Sequence, residues 1–368
     1  MRQANLITLF MAVAGLVAML ATCARGPRMP AMDGVVIELR RSDKGLRQGE
    51  LSHDSTLQLY WFGSSCHLIQ LGDARVLTDP FVTNELKLIA LRSNPERVEA
   101  TLGMIPVPDA VLVSHSHHDH ILDAHAAMSQ DPWRAGRVPL YGGMSCKNLL
   151  AGWKDAEVDN RCHAVPKQGG VLLERTTPKG YTIRITAYRT KHSPHCKCGF
   201  TLANGMIRST RQSIPKDILD FQAGEVYNYL VELSRGRVSF NVMCLGNPYD
   251  LVEVPDSIPR VGTRIDVAIM LAPTADNVRG YPEEHLARLK PRHVVLSHFN
   301  TFVREDPDEQ LAILGIDFVK MPKLTRDMQA TFARTEMEYS EFEKMHIPAI
   351  TVFEENGGAR NVIRIPPR

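Results

Sequence analysis

At 368 residues, with 44% hydrophobic and 23% charged side chains, the chain has an ordinary globular composition and enough length to bury a large core. Its formal net charge of +2, with Lys and Arg scattered and no basic stretch interleaved with aromatics, argues against a polyanionic partner, so no nucleic acid is expected.

The opening MRQANLITLFMAVAGLVAMLATC carries one early positive charge and then runs apolar from Leu6 to Leu20. A helix of that length would reach about 22 Å, short of the roughly 30 Å hydrocarbon core, which suits a secretory signal better than a permanent anchor. Leu20-Ala21-Thr22-Cys23 is similar to a bacterial lipobox, with Thr22 departing from the usual Gly, Ala or Ser. Residues 1–23 are therefore expected to be a signal peptide with Cys23 as the lipidated residue, followed by a linker and first strand over 24–55 and one large domain over 56–368. The expectation is an exported lipoprotein of a bacterial envelope, facing the periplasm and held to a membrane through Cys23. Ordinary signal cleavage and a retained helix are the alternatives. Six cysteines remain beyond Cys23, and Cys196 and Cys198 stand too close for an easy mutual bridge, so no pairing is assigned.

Two apolar runs around a Gly-Asp turn in LQLYWFGSSCHLIQLGDARVLTDPF (57–81) predict a β-hairpin ending at Asp79-Pro80. Residues 84–104 read as a helical insertion that would serve as a lid or an interface. Ala110–Ser114 is a short buried strand, and Ile121–Met128 a helix with Asp119 where an N-cap would sit. A strand at 138–142, a helix near 144–153 and a strand at 180–189 follow. YNYLVEL (227–233) and RVSFNVMCL (237–245) form a second hairpin; RIDVAIML (264–271) is a buried strand, PEEHLARL (282–289) a helix and HVVLSHF (293–299) another strand. Apolar strands that repeatedly end at polar residues predict two sheets layered between helices, with the chemistry along one rim.

Four of the chain's 14 histidines fall within HSHHDH at 115–120. A core would need a hydrogen-bond partner for each of them, and a solvated loop has no use for the cluster, so a metal is the economical reason. Residues two apart on a strand point the same way, so His115 and His117 can share one ion. Where the chain turns, Asp119 and His120 could face a second, with His118 a bystander. His53, His67, His125, His163, His285, His293 and His346 read as surface or satisfied core residues.

HSHHDH matches the HxHxDH motif of the metallo-β-lactamase fold. WFGSSCHLIQLGDARVLTDPF and DVAIMLAPTADNVRGYPEEHLARLKPRHVVLSHFNTF resemble the start and end of one branch of it, the phospholipase D-like enzymes acting on N-acyl-phosphatidylethanolamines and the ascorbate-6-phosphate lactonase-like proteins. The similarity spans about residues 57–302. It implies an α/β fold, a four-layer αββα sandwich of the metallo-β-lactamase type, with 56–368 as the hydrolase domain. It makes His115 and His117 ligands of a first zinc and Asp119 and His120 ligands of a second. The third histidine of the first site would be His192, with His195 the alternative, and His298 would complete the second site. Asp79 resembles the aspartate that orients a ligand histidine through its other ring nitrogen. The family's metal-bridging aspartate is missing: the strand over 237–245 runs into Leu245-Gly246-Asn247-Pro248, with no carboxylate before Asp250.

The implied cofactor is Zn2+, one or two ions, with Mn2+ or Fe2+ as alternatives. Zinc on neutral histidines lowers the pKa of water from about 15.7 to about 7, and Asp119 would help catalysis by steering the proton. The expected function is a zinc-dependent hydrolase of an ester, lactone or phosphodiester, tilted towards a small-molecule or lipid-like substrate. The alternative is an exported metal-binding protein with a degenerate, non-catalytic site that acts as a binding or assembly partner. A nuclease ranks third.

Overall fold

The computed structural model describes residues 57–83, 91–195, 199–236, 238–246, 265–271, 274, 277–291 and 293–298, together with the backbone of short strands at 28–29, 35–40, 56, 310–311, 350–351 and 363–364. The signal segment with Cys23, most of the linker, His53, Cys196, Cys198, Asn247, Asp250 and His346 lie outside the described residues. Among the described residues no helix is long and apolar enough to cross a membrane.

Strands β1 (Val35–Arg40), β2 (Thr56–Gly63), β3 (Cys66–Leu71) and β4 (Ala74–Thr78) form an antiparallel meander, and β5 (Ala110–Leu112), β6 (Leu140–Gly142) and β7 (Cys162–Ala164) extend it in parallel. The expected hairpin at 57–81 is thus three strands, because the apolar run before Gly72 folds back once more at Gly63–Ser65. Gly72 turns β3 into β4 at φ +60, and a Cβ there would stand 2.2 Å from the Tyr181 ring, so both the backbone and the opposite sheet require glycine. The second sheet opens antiparallel with β8 (Gly169–Thr176), β9 (Thr182–Thr190), β10 (Val226–Arg235) and β11 (Val238–Cys244), then continues in parallel through β12 (Val267–Leu271), β13 (His293–Ser297) and β14 (Ile350–Thr351). A last strand, β15 (Ile363–Arg364), pairs with β1. The two sheets run β15-β1-β2-β3-β4-β5-β6-β7 and β14-β13-β12-β11-β10-β9-β8.

Alternating residues of facing strands meet between the sheets: Leu57, Leu59 and Trp61, Ile69 and Leu71, Val76, Ala110 and Leu112 from one, Ile183, Ile185, Tyr227, Tyr229, Val231, Phe240 and Val242 from the other. The opposite face of the first sheet, Leu68, Leu77, Val111 and Val113, is covered by helices. These are α1 (Pro95–Thr101), α2 (His118–Ile121), α3 (Ala124–Met128), α4 (Asp131–Ala135), α5 (Met144–Leu150) and α6 (Ala156–Arg161). Burial on both faces is why AVLV at 110–113 reads as an unbroken apolar run. On the far sheet every residue of β12 is buried, and α7 (Glu283–Leu289) adds Leu286 and Leu289 to the core. The result is the αββα arrangement in four layers.

Two sequence expectations change. The insertion at 84–104 contains one helix among the described residues, α1, which begins where Asn94 caps the Arg97 amide and Pro95 takes a first-turn position. The helix expected at 121–128 is two helices, α2 and α3, interrupted where the Asp123 amide bonds to the Pro80 carbonyl. α2 begins at His118, with His117 as its N-cap and no side-chain cap, so Asp119 is a first-turn residue and not the cap. β7, β8, α4 and α6 carry no strong period and have no counterpart in the sequence reading.

Candidate metal centre

The polar residues gather beyond the carboxyl ends of β4, β5, β9 and β13, where an α/β sheet leaves a crevice. β5 hands over to Val113-Ser114-His115; β4 runs into Asp79, β9 into His192 and β13 into His298. Asp79 (φ +39) and His298 (φ +61) both hold left-handed backbone conformations. Such conformations cost on the order of 1 kcal/mol or more for residues other than glycine, so the surrounding contacts must impose them. At Asp79 the constraint is visible: its amide donates to Leu112 O at 2.7 Å. At His298 the amide donates to Ser64 O at 3.0 Å, and Ser297 Oγ donates to the same carbonyl at 2.8 Å.

Two triads of donor atoms result. His115, His117 and His192 form one and Asp119, His120 and His298 the other, the donors of each lying within 4.8 Å of one another. His195, the alternative to His192, is outside both. Its ring sits 5.0 Å from that of His192 and 5.7 Å from that of His117, and its Nδ1 accepts from the Leu202 amide at 3.0 Å. His118 turns away between Phe81 and Phe221, with ring centroids 6.1 and 6.4 Å off.

The hydrogen bonds fix where the ring protons sit. Asp79 accepts from the Ser114 amide at 2.6 Å, from Ser114 Oγ at 2.8 Å and from His120 Nδ1 at 2.9 Å. Ser114 Oγ, its proton committed to the carboxylate, accepts from His115 Nδ1 at 3.1 Å. His117 Nε2 donates towards Ala203 O at 3.4 Å and His192 Nδ1 to Ser193 O at 2.6 Å. His115 Nε2 and His117 Nδ1 face each other at 3.1 Å, a contact that one ring proton can bridge and that a cation can take over from it. His120 Nε2 is buried without a hydrogen-bond partner, and an unsatisfied buried group of this kind costs about 1–3 kcal/mol. The donor set is imidazole with one carboxylate, which suits zinc and its first-row neighbours. The residues present therefore fit a metal.

Electrostatics agree with that chemistry. Burial, reinforced by His120, His192 and His117, holds His115 well below the ordinary histidine range, and burial pushes His117 down to about 3. His192 is lowered in the same way. All three are therefore neutral, the ligating form, at physiological pH. Burial opposes the Asp119 anion, yet His120, His118 and His298 around it hold its carboxyl well below the usual carboxylate range. His298 Nε2 lies 2.9 Å from Asp119 Oδ2, and His120 Nε2 lies 3.7 Å from it.

The long connection between β9 and β10 closes one side of the cluster. Ser116 pins it, its amide donating to Ala223 O at 3.0 Å and its hydroxyl to Gln222 O at 2.6 Å. A groove of about 880 Å³ elsewhere, lined by Leu91, Met104, His125, Trp153, Ile214 and Lys216 among others, includes none of the six donors. Of the histidines read as bystanders, His125 stacks on Trp153, His163 is exposed, and His67 and His285 are buried; His67 is not fully satisfied, since its Nε2 has no partner. Cys66, Cys146, Cys162 and Cys244 are buried free thiols.

Sequence reasoning missed Ser114 and Asp123. Asp123 is fully buried and accepts from the Val82 and Thr83 amides and from the Thr83 and Ser93 hydroxyls at 2.6–2.7 Å, holding the loop that follows Asp79. The only cue was a lone carboxylate inside the apolar run of Ile121–Ala127.

Comparison with known proteins adds the following. Residues 58–205 match the beta-lactamase superfamily domain. The chain is 23% identical over 264 residues to a UPF0173 metal-dependent hydrolase of Pyrobaculum arsenaticum, a match covering 69% of this chain and 89% of that one. A shorter match, 36% identical over 84 residues, covers 22% of this chain and 17% of the mitochondrial N-acyl-phosphatidylethanolamine-hydrolyzing phospholipase D of Saccharomyces cerevisiae. Among solved structures, Igni18, a metallo hydrolase of Ignicoccus hospitalis, is 14% identical, covers 73% of this chain and 91% of its own, and superposes with a TM-score of 0.39.

Proposed function

We propose that the chain, of which residues 58–205 match the beta-lactamase superfamily domain, is a metal-dependent hydrolase, and more finely a zinc hydrolase that cleaves an ester, lactone or phosphodiester, with an amphiphilic, phospholipid-like phosphodiester the favoured class. The observation that carries it is the pair of donor triads, His115, His117 and His192 beside Asp119, His120 and His298. Zinc held there would supply both an activated water and a Lewis acid for the scissile carbonyl or phosphoryl oxygen. The chain's own residues do the rest. The neutral imidazoles of the first triad present lone pairs without first releasing protons, and Asp79 and Ser114 hold His120 and His115 in the tautomers that face the metal. Asp119, a donor of the second triad kept anionic by the imidazoles around it, would accept a proton from an attacking water. The preference for a lipid-like substrate rests on the short likeness to the yeast phospholipase and on the signal-like N-terminus.

The test pairs elemental analysis with turnover. Two zinc ions per chain, hydrolysis of bis(4-nitrophenyl) phosphate or a short-chain lactone, and loss of both activity and metal in His117→Ala are expected. Turnover that survives His117→Ala would remove the assignment.

One observation favours a second reading, the metal-binding protein with a degenerate second site. A Cβ on Gly246 would lie 2.2 Å from Tyr227 O and 2.5 Å from Ser114 Cβ, so that position cannot carry the missing bridging carboxylate. A single metal per chain and no turnover on any of these substrates would move the conclusion there. We further propose an exported lipoprotein; membrane fractionation that persists in Cys23→Ser would refute it.

A further inference from the structure

Asp79 and Ser114 lie between the two triads and touch a ligand of each. The Asp79 carboxylate takes a proton directly from His120 Nδ1, at 2.9 Å. It reaches His115 only through Ser114, whose Oγ lies 2.8 Å from Asp79 Oδ2 and 3.1 Å from His115 Nδ1. The same Oγ is 3.1 Å from His120 Nδ1, so the three groups surround one hydroxyl. A hydroxyl has one proton and two lone pairs, while an ionised carboxylate only accepts. With the Ser114 proton pointed at the carboxylate, the hydroxyl is left to accept, and His115 supplies the proton. Ser114 is 3% exposed and Asp79 4%, so bulk water is not at hand to replace either bond.

We propose that Ser114 is a positioning residue that relays the hold of one carboxylate from the second metal site to the first. The relay runs His115 Nδ1–H to Ser114 Oγ–H to Asp79, and the direct arm runs from His120 Nδ1–H to the same oxygen. Asp79 thereby fixes the tautomer of one ligand in each triad, and Ser114 governs only the first. The local backbone enforces the arrangement: the Ser114 amide is itself clamped by Asp79 Oδ1 at 2.6 Å, and Gly246 packs against its Cβ with no room for a side chain.

The relay rests on the two-site reading above and is tested on metal affinity, not on turnover. Zinc affinity is measured by competition with a chromophoric chelator on the full chain in mild detergent. The first triad is read in a His298→Ala background and the second in a His192→Ala background. Partners of ligand histidines commonly control metal affinity by 10–100-fold. Ser114→Ala should therefore weaken zinc by about tenfold or more in the His298→Ala background and by less than about threefold in the His192→Ala background. Asp79→Asn should weaken both. Ser114→Cys, close in size but a poor donor and acceptor, should reproduce the asymmetric loss and serves if the alanine variant does not fold. Cobalt absorption should shift in the first-triad background alone. Equal losses in both backgrounds, or none in the first, overturn the relay while leaving the two-site reading intact. A parent chain that takes up no zinc or cobalt overturns the two-site reading instead.

Discussion

Replacing Asp123 tests how the loop bearing Asp79 is held. Four donors converge on this buried carboxylate: the Val82 and Thr83 amides on Oδ2, and the Thr83 and Ser93 hydroxyls on Oδ1. In Asp123→Ala the hydroxyls can turn elsewhere, and Thr83 Oγ1 already accepts from the Asn94 amide at 2.8 Å. The two amides cannot turn. At about 1–3 kcal/mol for each of the two orphaned buried donors, the loss is about 2–6 kcal/mol, a large share of the roughly 5–15 kcal/mol that stabilises a typical protein. Asp123→Asn should behave differently. Its carbonyl can face the two amides and its NH2 the two hydroxyl oxygens, and the neutral amide escapes the burial that pushes the Asp123 carboxyl upward in pKa. The expected cost is about 1–2 kcal/mol. The assay is urea unfolding of chelator-stripped protein, so that metal binding does not add to the stability measured. An alanine variant within about 1 kcal/mol of wild type, or an asparagine variant as damaged as the alanine, would refute the argument.

Three other expectations follow from the geometry. His192→Ala should lose metal from the first triad while His195→Ala keeps it, read as zinc per chain; the reverse would make His195 the ligand. His67 is buried, and burial lowers its pKa to about 4 against an ordinary 6.5, so between those values the unfolded chain binds the extra proton. Stability should be fully present above about pH 6.5 and fall as pH drops towards 4, by on the order of 3 kcal/mol from this group; a metal-free His67→Gln variant should show a correspondingly flatter profile, and an unchanged slope would contradict this. Gly246→Ala should lower the melting temperature through a clash worth about 1–3 kcal/mol, and a variant melting with wild type would show that Tyr227 and Ser114 can move aside.

How much of this was legible in the sequence depended on the range of the information. HSHHDH announced itself because strand alternation and a tight turn place its residues by local geometry alone. That His192, rather than His195, stands with His115 and His117 depends on which ring the β9–β10 connection carries inward, through contacts such as Leu202 on His195 that no spacing encodes. Ser114 was invisible for the same reason. A serine before a histidine motif is unremarkable until Asp79, from another strand, arrives beside it. At Asp119 only the cap position differed, because an acidic residue before an apolar helix resembles an N-cap, while its expected grouping with His120 and His298 is where the structure places it. The strands and helices that went unpredicted, β7, β8, α4 and α6, are short or exposed, and β8 at the sheet edge has most of its residues exposed, where burial imposes no period.

Each triad draws two residues from the first sheet's side of the sandwich and one from the second: His115 and His117 with His192, Asp119 and His120 with His298. Neither half of the chain owns a complete site. An ion bound at either place is thus a coincidence detector, registering that two sheets built from distant stretches of sequence have closed on each other, and Ser64 O latches that closure from the other side through Ser297 and His298. In a cell, metal occupancy would then serve as a quality mark carried only by chains that have finished assembling.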